Sequence, residues 1–217
     1  EGADRVVTME LHSPQVQGFF KIPLDHLYAR PLLCEYVRRA GLLTDDLVVV
    51  SPDAGFAKTA RAYADELHVP VAIGDKIRTA HDEKAKIMSV IGDVEGKSCM
   101  IVDDFTISGG TLIDIANTLK AKGAGRIFAV LSHINIKEDG LRRLEASPIE
   151  FIVSTDTVHC PFAGKSDKLR IISAAPLFAE TVRRIHDREG LGEMFAHLPE
   201  RVFEQSFMEQ LRFNVEE

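Results

Sequence analysis

Short apolar runs alternate with helical patterns along most of the chain. Runs rich in β-branched residues predict strands at 6–11, 47–50, 69–73, 99–102, 127–131 and 151–153. Apolar residues at helical spacing predict helices at 56–67, 111–122 and 177–186. Because the strand runs are continuously apolar rather than alternating, they are typical of strands buried on both faces of a parallel sheet. The sequence therefore predicts an α/β fold in which helices flank a mostly parallel sheet.

Polar and charged residues follow most of these predicted strands. They are Asp53, Lys76, Asp103, Asp104, His133 and Asp156. In open α/β sheets, ligands bind beyond the carboxyl ends of the strands. The pattern therefore indicates an active site at that edge of the sheet. Nothing in the sequence indicates a catalytic or binding role for His133, Asp156 or the dipeptide at 159–160, and we expect these residues to be structural.

Composition narrows the function classes. The 217 residues include 26 Lys+Arg against 33 Asp+Glu, and the resulting net charge of −7 argues against a nucleic-acid or anionic-membrane surface. A small anionic ligand in a local pocket remains compatible with that charge. No apolar run approaches the roughly 18–20 residues that span a bilayer. The three cysteines are scattered, so we expect reduced thiols in a cytoplasmic protein rather than disulfides or a zinc site.

The segment DDFTISGGT at 103–111 carries the sharpest chemical signal. Two carboxylates follow an apolar run, and a Ser-Gly-Gly-Thr turn then opens a predicted helix. Backbone amides at a helix N-terminus attract an anion, and the hydroxyls of Ser108 and Thr111 can add donors. A phosphate is the ligand that such a turn is best suited to bind, and the carboxylates can accept hydrogen bonds from the vicinal hydroxyls of a sugar. The simpler alternative is a capped helix that follows two solvated aspartates.

The same segment resembles the phosphoribosyl-diphosphate loop of type I phosphoribosyltransferase folds. Further segments are similar to the ribose-phosphate pyrophosphokinase family, also called phosphoribosyl-diphosphate synthetase. They read TMELHSPQVQGFF at 8–20, VVSPDAG at 49–55, DKIR at 75–78 and VIGDVEG at 90–96. The motifs follow the family order, and the resemblance extends from about residue 2 to about residue 195.

The resemblance implies an activity and a set of site residues. The family transfers the diphosphoryl group of ATP to the C1 hydroxyl of ribose 5-phosphate, with Mg²⁺ as cofactor, and its members form homo-oligomeric rings of the hexamer type. The implied catalytic residues are Lys76 and Arg78, and the implied metal site is His12 with Asp53. Asp103 and Asp104 match the residues that hold the ribose hydroxyls. The residues that match those around the 5-phosphate are Ser108, Gly109, Gly110 and Thr111.

The chain departs from the family pattern in two respects. Ile107 stands where the family loop usually has a third acidic residue, and its side chain cannot accept a hydrogen bond or a proton. In addition, chains of the family consist of two tandem domains. The first residues of this sequence match a position near the end of the first of those domains. We therefore expect an N-terminally truncated chain, with the remainder of a first domain and its linking element at 1–42. A second phosphoribosyltransferase-like domain is then expected at 43–195, followed by a helical extension at 196–217.

Two alternative functions stay open at this point. A non-catalytic regulatory homologue would retain the binding motifs and assemble with active subunits, and Ile107 favours this alternative. The retained residues Lys76, Arg78, His12 and Asp53 argue against it. A base-salvage phosphoribosyltransferase would use the same loop in the reverse sense, but the segments at 8–20 and 49–55 match the synthetase.

Overall fold

The computed structural model describes residues 2–77, 86–192, 194 and 197–207. The strands are β1 (Val6–Met9), β2 (Leu24–Leu27), β3 (Leu47–Ser51), β4 (Val71–Ile77), β5 (Lys86–Ile91), β6 (Ser98–Thr106), β7 (Ile127–Ile134), β8 (Ile152–Thr155) and β9 (Leu169–Ile172). The helices are α1 (Arg30–Arg39), α2 (Ala57–Leu67), α3 (Gly110–Ala121), α4 (Glu138–Glu145), α5 (Ala175–His186) and α6 (Glu200–Phe207). A short 3-10 helix spans Pro14–Phe19.

Seven strands form one sheet, in the order β5-β4-β3-β6-β7-β8-β9. Every neighbouring pair in this sheet is parallel except β4 and β5. This arrangement confirms the predicted α/β fold with a mostly parallel sheet. Strand β1 does not join this sheet, because it pairs in parallel with β2 in a separate two-stranded sheet.

The strand order reverses direction between β3 and β6. Helix α2 leads from β3 to β4 on one side of this point, and α3 leads from β6 to β7 on the other. Residues of the two helices lie in different core clusters, so they cover opposite faces of the sheet. Such a reversal leaves a crevice beyond the carboxyl ends of the two strands. The crevice is where the loops that follow β3 and β6 meet.

The larger of the two buried apolar clusters also includes residues from the N-terminal part of the chain and from helix α6. Leu27 and Leu33 belong to the same buried cluster as Val49 of β3 and Phe207 of α6. The rings of Tyr36 and Phe207 meet edge to face, with centroids 5.6 Å apart. The division of the chain at residue 42 stays a prediction, and the residues on either side of that boundary share this core.

Two further findings concern membrane-spanning helices and the cysteines. Over the described ranges, no helix combines the length and the apolar composition that crossing a bilayer requires. The three cysteines, Cys34, Cys99 and Cys160, are free and buried. Burial raises the pKa of Cys99 to about 12, because the thiolate is poorly solvated there.

Candidate functional site

The two adjacent aspartates lie inside strand β6 rather than after it. The sequence predicted a strand that ends at residue 102, whereas β6 continues to Thr106. The extension is stabilised by pairing with β7, in which His133 lies opposite Phe105 and Ile134 opposite Thr106. The pairing carries Asp103 and Asp104 to the carboxyl edge of the sheet, directly before the turn into α3.

Asp103 is half-buried beside other acidic groups. Its Oδ1 accepts a hydrogen bond from the backbone N–H of Asp104 at 3.0 Å. Burial, followed by the charge of Asp104 and, more weakly, that of Asp53, raises the pKa of Asp103 to about 7. The raised pKa favours the protonated form of Asp103, which can donate a hydrogen bond, to a higher pH than for an ordinary aspartate.

Asp104 joins the β6 edge to the N-terminal segment. Its Oδ2 lies 2.6 Å from Nδ1 of His12, and its Oδ1 accepts the backbone N–H of Phe105 at 2.8 Å. The imidazole of His12 also meets the ring of Phe105 edge to face, with centroids 4.9 Å apart. The carboxylate is largely buried, whereas the imidazole is 70% exposed. This pair places the implied metal ligand His12 directly beside the implied sugar ligand Asp104.

A buried polar network supports the segment that carries His12. Glu10 adopts a left-handed backbone conformation, with φ +43°, and its carboxylate accepts the backbone N–H of Ala29 at 3.0 Å. His133 Nε2 donates to the carbonyl of Glu10 at 3.1 Å, and its Nδ1 pairs with Thr157 Oγ1 at 2.6 Å. Burial raises the pKa of the Glu10 carboxyl. His133 therefore has the structural role expected from the sequence, and it ties the end of β7 to the segment after β1.

The turn at 106–110 is held by its own hydroxyl groups. Thr106 Oγ1 accepts the backbone N–H of Gly109 at 3.1 Å, and Ser108 Oγ accepts that of Gly110 at 3.3 Å. Gly109 has φ +72°, a conformation that residues with a side chain adopt only at a cost. Helix α3 begins at Gly110, so the predicted phosphate-binding residues 108–111 surround its N-terminus. An anion bound at this turn would be stabilised by the positive end of the dipole of a twelve-residue helix.

Asp53 lies on the loop after β3, on the other side of the crevice. Its Oδ1 accepts the backbone N–H of Phe56 at 3.1 Å, at the start of α2. Strand β4 passes close to this loop, because a Cβ atom at Gly74 would lie only 2.7 Å from the carbonyl oxygen of Pro52. The absence of a side chain at Gly74 therefore lets β4 run beside the loop that carries Asp53.

One of the two implied catalytic cations, Lys76, lies near the C-terminal end of β4. Lys76 lies in this strand and pairs with Ile87 of β5, directly after a register shift between Asp75 and Lys76. Only the backbone of Lys76 is described. Arg78 lies outside the described residues, so its predicted position stays a prediction.

Asp156 and the dipeptide at 159–160 lie apart from this site. Asp156 accepts hydrogen bonds from Ser173 Oγ and from the backbone N–H of Ala174, both at 2.7 Å, at the start of α5. His159 and Cys160 line a cavity of about 460 Å³ beside the loop after β8. The contacts of Asp156 therefore join the end of β8 to the start of α5.

Comparison with known proteins places this geometry in a family. The family model of the phosphoribosyl synthetase-associated domain matches residues 75–196, more than half of the chain. The chain belongs to this family. It is 42% identical, over 194 residues, to a ribose-phosphate pyrophosphokinase of Clostridium acetobutylicum and 45% identical, also over 194 residues, to one of Caldanaerobacter subterraneus. These alignments cover 89% of this chain and 60% and 61% of the two relatives.

A solved structure supports the same assignment. The chain superposes on phosphoribosylpyrophosphate synthetase from Mycobacterium smegmatis with a TM-score of 0.77 and 34% sequence identity. The match covers 86% of this chain and 60% of that one. The family resemblance that the sequence motifs indicated is therefore confirmed. The chain spans about 60% of the length of the relatives and of the structure that it matches.

Proposed function

We propose that this protein transfers the diphosphoryl group of ATP to the C1 hydroxyl of ribose 5-phosphate, giving phosphoribosyl diphosphate and AMP. One observation carries the proposal: a carboxylate pair and a helix N-terminus occupy successive positions of one crevice, beside a histidine from a different part of the chain. The pair accepts sugar hydroxyls and the N-terminus accepts a phosphate, so together they match the two ends of a sugar phosphate. Membership of the phosphoribosyl synthetase-associated family supports the same reaction.

The sugar phosphate is held by β6 and the turn that follows it. The 5-phosphate binds at the N-terminus of α3, where the hydroxyls of Ser108 and Thr111 and the backbone of Gly109 and Gly110 surround it. The ribose hydroxyls donate to Asp103 and Asp104. Because the carboxylates and the phosphate repel each other, the ligand lies with its hydroxyl end at β6 and its phosphate end at α3.

Phosphoryl transfer demands positioning and charge neutralisation more than covalent chemistry. The C1 hydroxyl oxygen attacks the β-phosphorus of ATP and loses its proton to solvent, the bond from that phosphorus to the α,β-bridging oxygen breaks, and AMP leaves with the electron pair. We assign Lys76 and Arg78 to the transferring phosphoryl group, whose negative charge they neutralise. Strand β4, which carries Lys76, runs beside the loop of Asp53 and thus borders the same crevice.

Magnesium fits the donor set of this crevice. Mg²⁺ prefers oxygen ligands, and it is usually bound by one or two protein groups, by water and by substrate phosphates. Among the described residues, no three His, Cys, Asp or Glu side chains form a metal-binding group, so an all-protein cage is not what these residues build. Asp53 supplies an oxygen donor of this kind, and we assign His12 to the same site because it matches the family's histidine there. The ion would supply positive charge to the phosphates of ATP when bound.

Assembly into a homo-oligomer of the hexamer type also belongs to this proposal. Apolar side chains are exposed at several surface positions, including Phe19 (85% exposed), Ile91 and Val182. Such positions are compatible with contacts between subunits. The buried free thiols are compatible with the cytoplasmic location that we propose.

The test is release of AMP from ATP in the presence of Mg²⁺, with and without ribose 5-phosphate. We expect AMP release that requires the sugar phosphate, that ribose without a phosphate does not support, and that chelation of Mg²⁺ abolishes. Calorimetric binding of ribose 5-phosphate and of ATP with Mg²⁺, each without the other, is measured in parallel. Binding of both substrates without AMP release would overturn the proposed catalysis and favour a regulatory homologue.

A further inference from the structure

The carbonyl oxygen of Ser108 is bound by an arginine from a distant part of the chain. Nη2 of Arg143, in α4, donates to this oxygen at 2.6 Å, and 35 positions separate the two residues. A hydrogen bond from a charged guanidinium is about twice as strong as one between neutral groups. The turn that follows β6 is therefore fixed to the helix that follows β7.

The opposite end of the same peptide group is also held. The Ser108–Gly109 peptide presents its carbonyl oxygen to Arg143 and its N–H to Thr106 Oγ1, at 3.1 Å. Because a peptide group is planar, fixing both of these atoms fixes its rotation. The orientation of this peptide in turn sets the direction of the next amide, that of Gly110, at which α3 begins.

Helix α4 lies against the turn as closely as its backbone permits. A Cβ atom at Gly140 would lie 3.1 Å from the Ser108 carbonyl oxygen and 3.3 Å from its carbonyl carbon. Since Gly140 has no side chain, the backbone of α4 is in near contact with the turn. Arg143 lies one helical turn further along and reaches the same oxygen.

The neighbouring arginine has different contacts. Arg142 donates to Asp139 on its own helix at 2.5 Å, and both side chains are mostly exposed. Exposed pairs of this kind contribute little to stability. Arg142 and Arg143 are therefore adjacent residues of the same type and charge, and Arg143 is the one bound to the turn.

We propose that Arg143 is a positioning residue of the anion-binding turn: it fixes the Ser108–Gly109 peptide and thereby the direction of the amides that follow at the start of α3, which receive the phosphate of the substrate. The guanidinium also polarises this peptide, because a hydrogen bond to the carbonyl strengthens the hydrogen bond that the N–H of Gly109 donates to Thr106 Oγ1. Its positive charge adds to that of the N-terminal end of α3. The ligand in question is the sugar phosphate of the proposed function, and the inference rests on that function.

The experiment compares Arg143→Ala, Arg143→Lys and the matched control Arg142→Ala with the unmodified protein. Hydrogen exchange is followed for the amides of Gly109 and Gly110 without ligand, and the dissociation constant of ribose 5-phosphate is measured by calorimetry. In Arg143→Ala we expect exchange to rise about tenfold and the dissociation constant to rise about tenfold, since one charge-assisted hydrogen bond is lost. Lysine should restore most of both values, and Arg142→Ala should change each by less than about twofold.

The two measurements separate this inference from the proposed function. Equal exchange in Arg143→Ala and the unmodified protein would overturn the inference, as would equal effects of Arg142→Ala and Arg143→Ala. Faster exchange with unchanged ribose 5-phosphate binding would overturn the role in binding. If the unmodified protein binds no ribose 5-phosphate while Arg143→Ala exchanges faster, the proposed function fails and the attachment of the turn to α4 is supported.

Discussion

Nδ1 of His12 and Oδ2 of Asp104 lie 2.6 Å apart, although 92 positions separate the two residues in the chain. His12 follows strand β1 of the small sheet, and Asp104 lies in β6 of the large one. The contact is possible because the segment after β1 is fixed at Glu10, whose carbonyl accepts a hydrogen bond from His133 of β7. The site is thus completed where the two sheets meet.

The pair of His12 and Asp104 should matter more for function than for stability. The imidazole is 70% exposed, so we expect a double-mutant cycle with His12→Ala and Asp104→Asn to give a coupling below about 1 kcal/mol in unfolding free energy. Asp104→Asn should weaken ribose 5-phosphate binding, because the amide replaces an acceptor of the sugar hydroxyls. Urea unfolding and calorimetry measure the two effects, and unchanged affinity would remove Asp104 from the sugar site.

Lys76 should act on turnover rather than on sugar binding. We expect Lys76→Ala to lower kcat by about 100-fold or more and to leave the affinity for ribose 5-phosphate nearly unchanged, since its partner charge develops in the transition state. Lys120→Ala, on the exposed end of α3, is the control and should leave both values unchanged. A parallel loss of affinity in Lys76→Ala would contradict the transition-state role.

Asp103 should make stability depend on pH in the range from 4 to 7. Its folded-state pKa of about 7 lies above the ordinary value, so the folded chain binds more protons than the unfolded chain in this range. The unfolding free energy contributed by Asp103 should therefore be fully present below pH 4 and be lost as the pH rises through 7, by about 2–4 kcal/mol. Asp103→Asn should lack this loss when unfolding is followed in metal-free buffer. Identical pH profiles for the two proteins would show that the carboxyl is not buried in this way.

The role of Gly109 in phosphate binding can be tested against a second glycine that has the same backbone conformation. Gly109 and Gly96 have φ values of +72° and +68°, and an added Cβ atom would have no close contact at either position. We expect each change to alanine to lower the unfolding free energy by about 1–2 kcal/mol. Only Gly109→Ala should also weaken ribose 5-phosphate binding, by about tenfold, because relief of the strain rotates the amides of the turn. Equal affinities of the two variants would argue against a phosphate at this turn.

Glu180 should stabilise the attachment of α6. Its buried carboxylate accepts hydrogen bonds from Arg183 and Arg184 of its own helix and from Arg201 of α6. The guanidinium groups, Arg183 first, hold the pKa of Glu180 well below its ordinary value. Glu180→Gln should lower the unfolding free energy by about 1–3 kcal/mol at neutral pH, and the difference should shrink as the pH falls below about 4. Glu204→Gln, an exposed change on α6, is the control for thermal unfolding.

Several elements were predictable and others were not. The runs at 47–50 and 127–131 correspond to β3 and β7, because buried parallel strands consist of continuous apolar residues. The short strands β2 and β9 carry polar or charged residues and have no such signal, since their pairing with neighbours, not their composition, makes them strands. The contact of Arg143 with the turn could not be predicted either, because the sequence does not distinguish an arginine on a short amphipathic helix from any other surface cation.

The sequence by itself determined the α/β class, the family and the order of the binding segments, because these depend on periodicity and on contiguous motifs. Only the tertiary structure decided that β6 carries its aspartates inside the strand, that His12 meets Asp104, and that Arg143 holds the turn. Each of these features joins residues that are far apart in the chain. Such contacts depend on how sheets and helices pack, and local sequence patterns do not encode that packing.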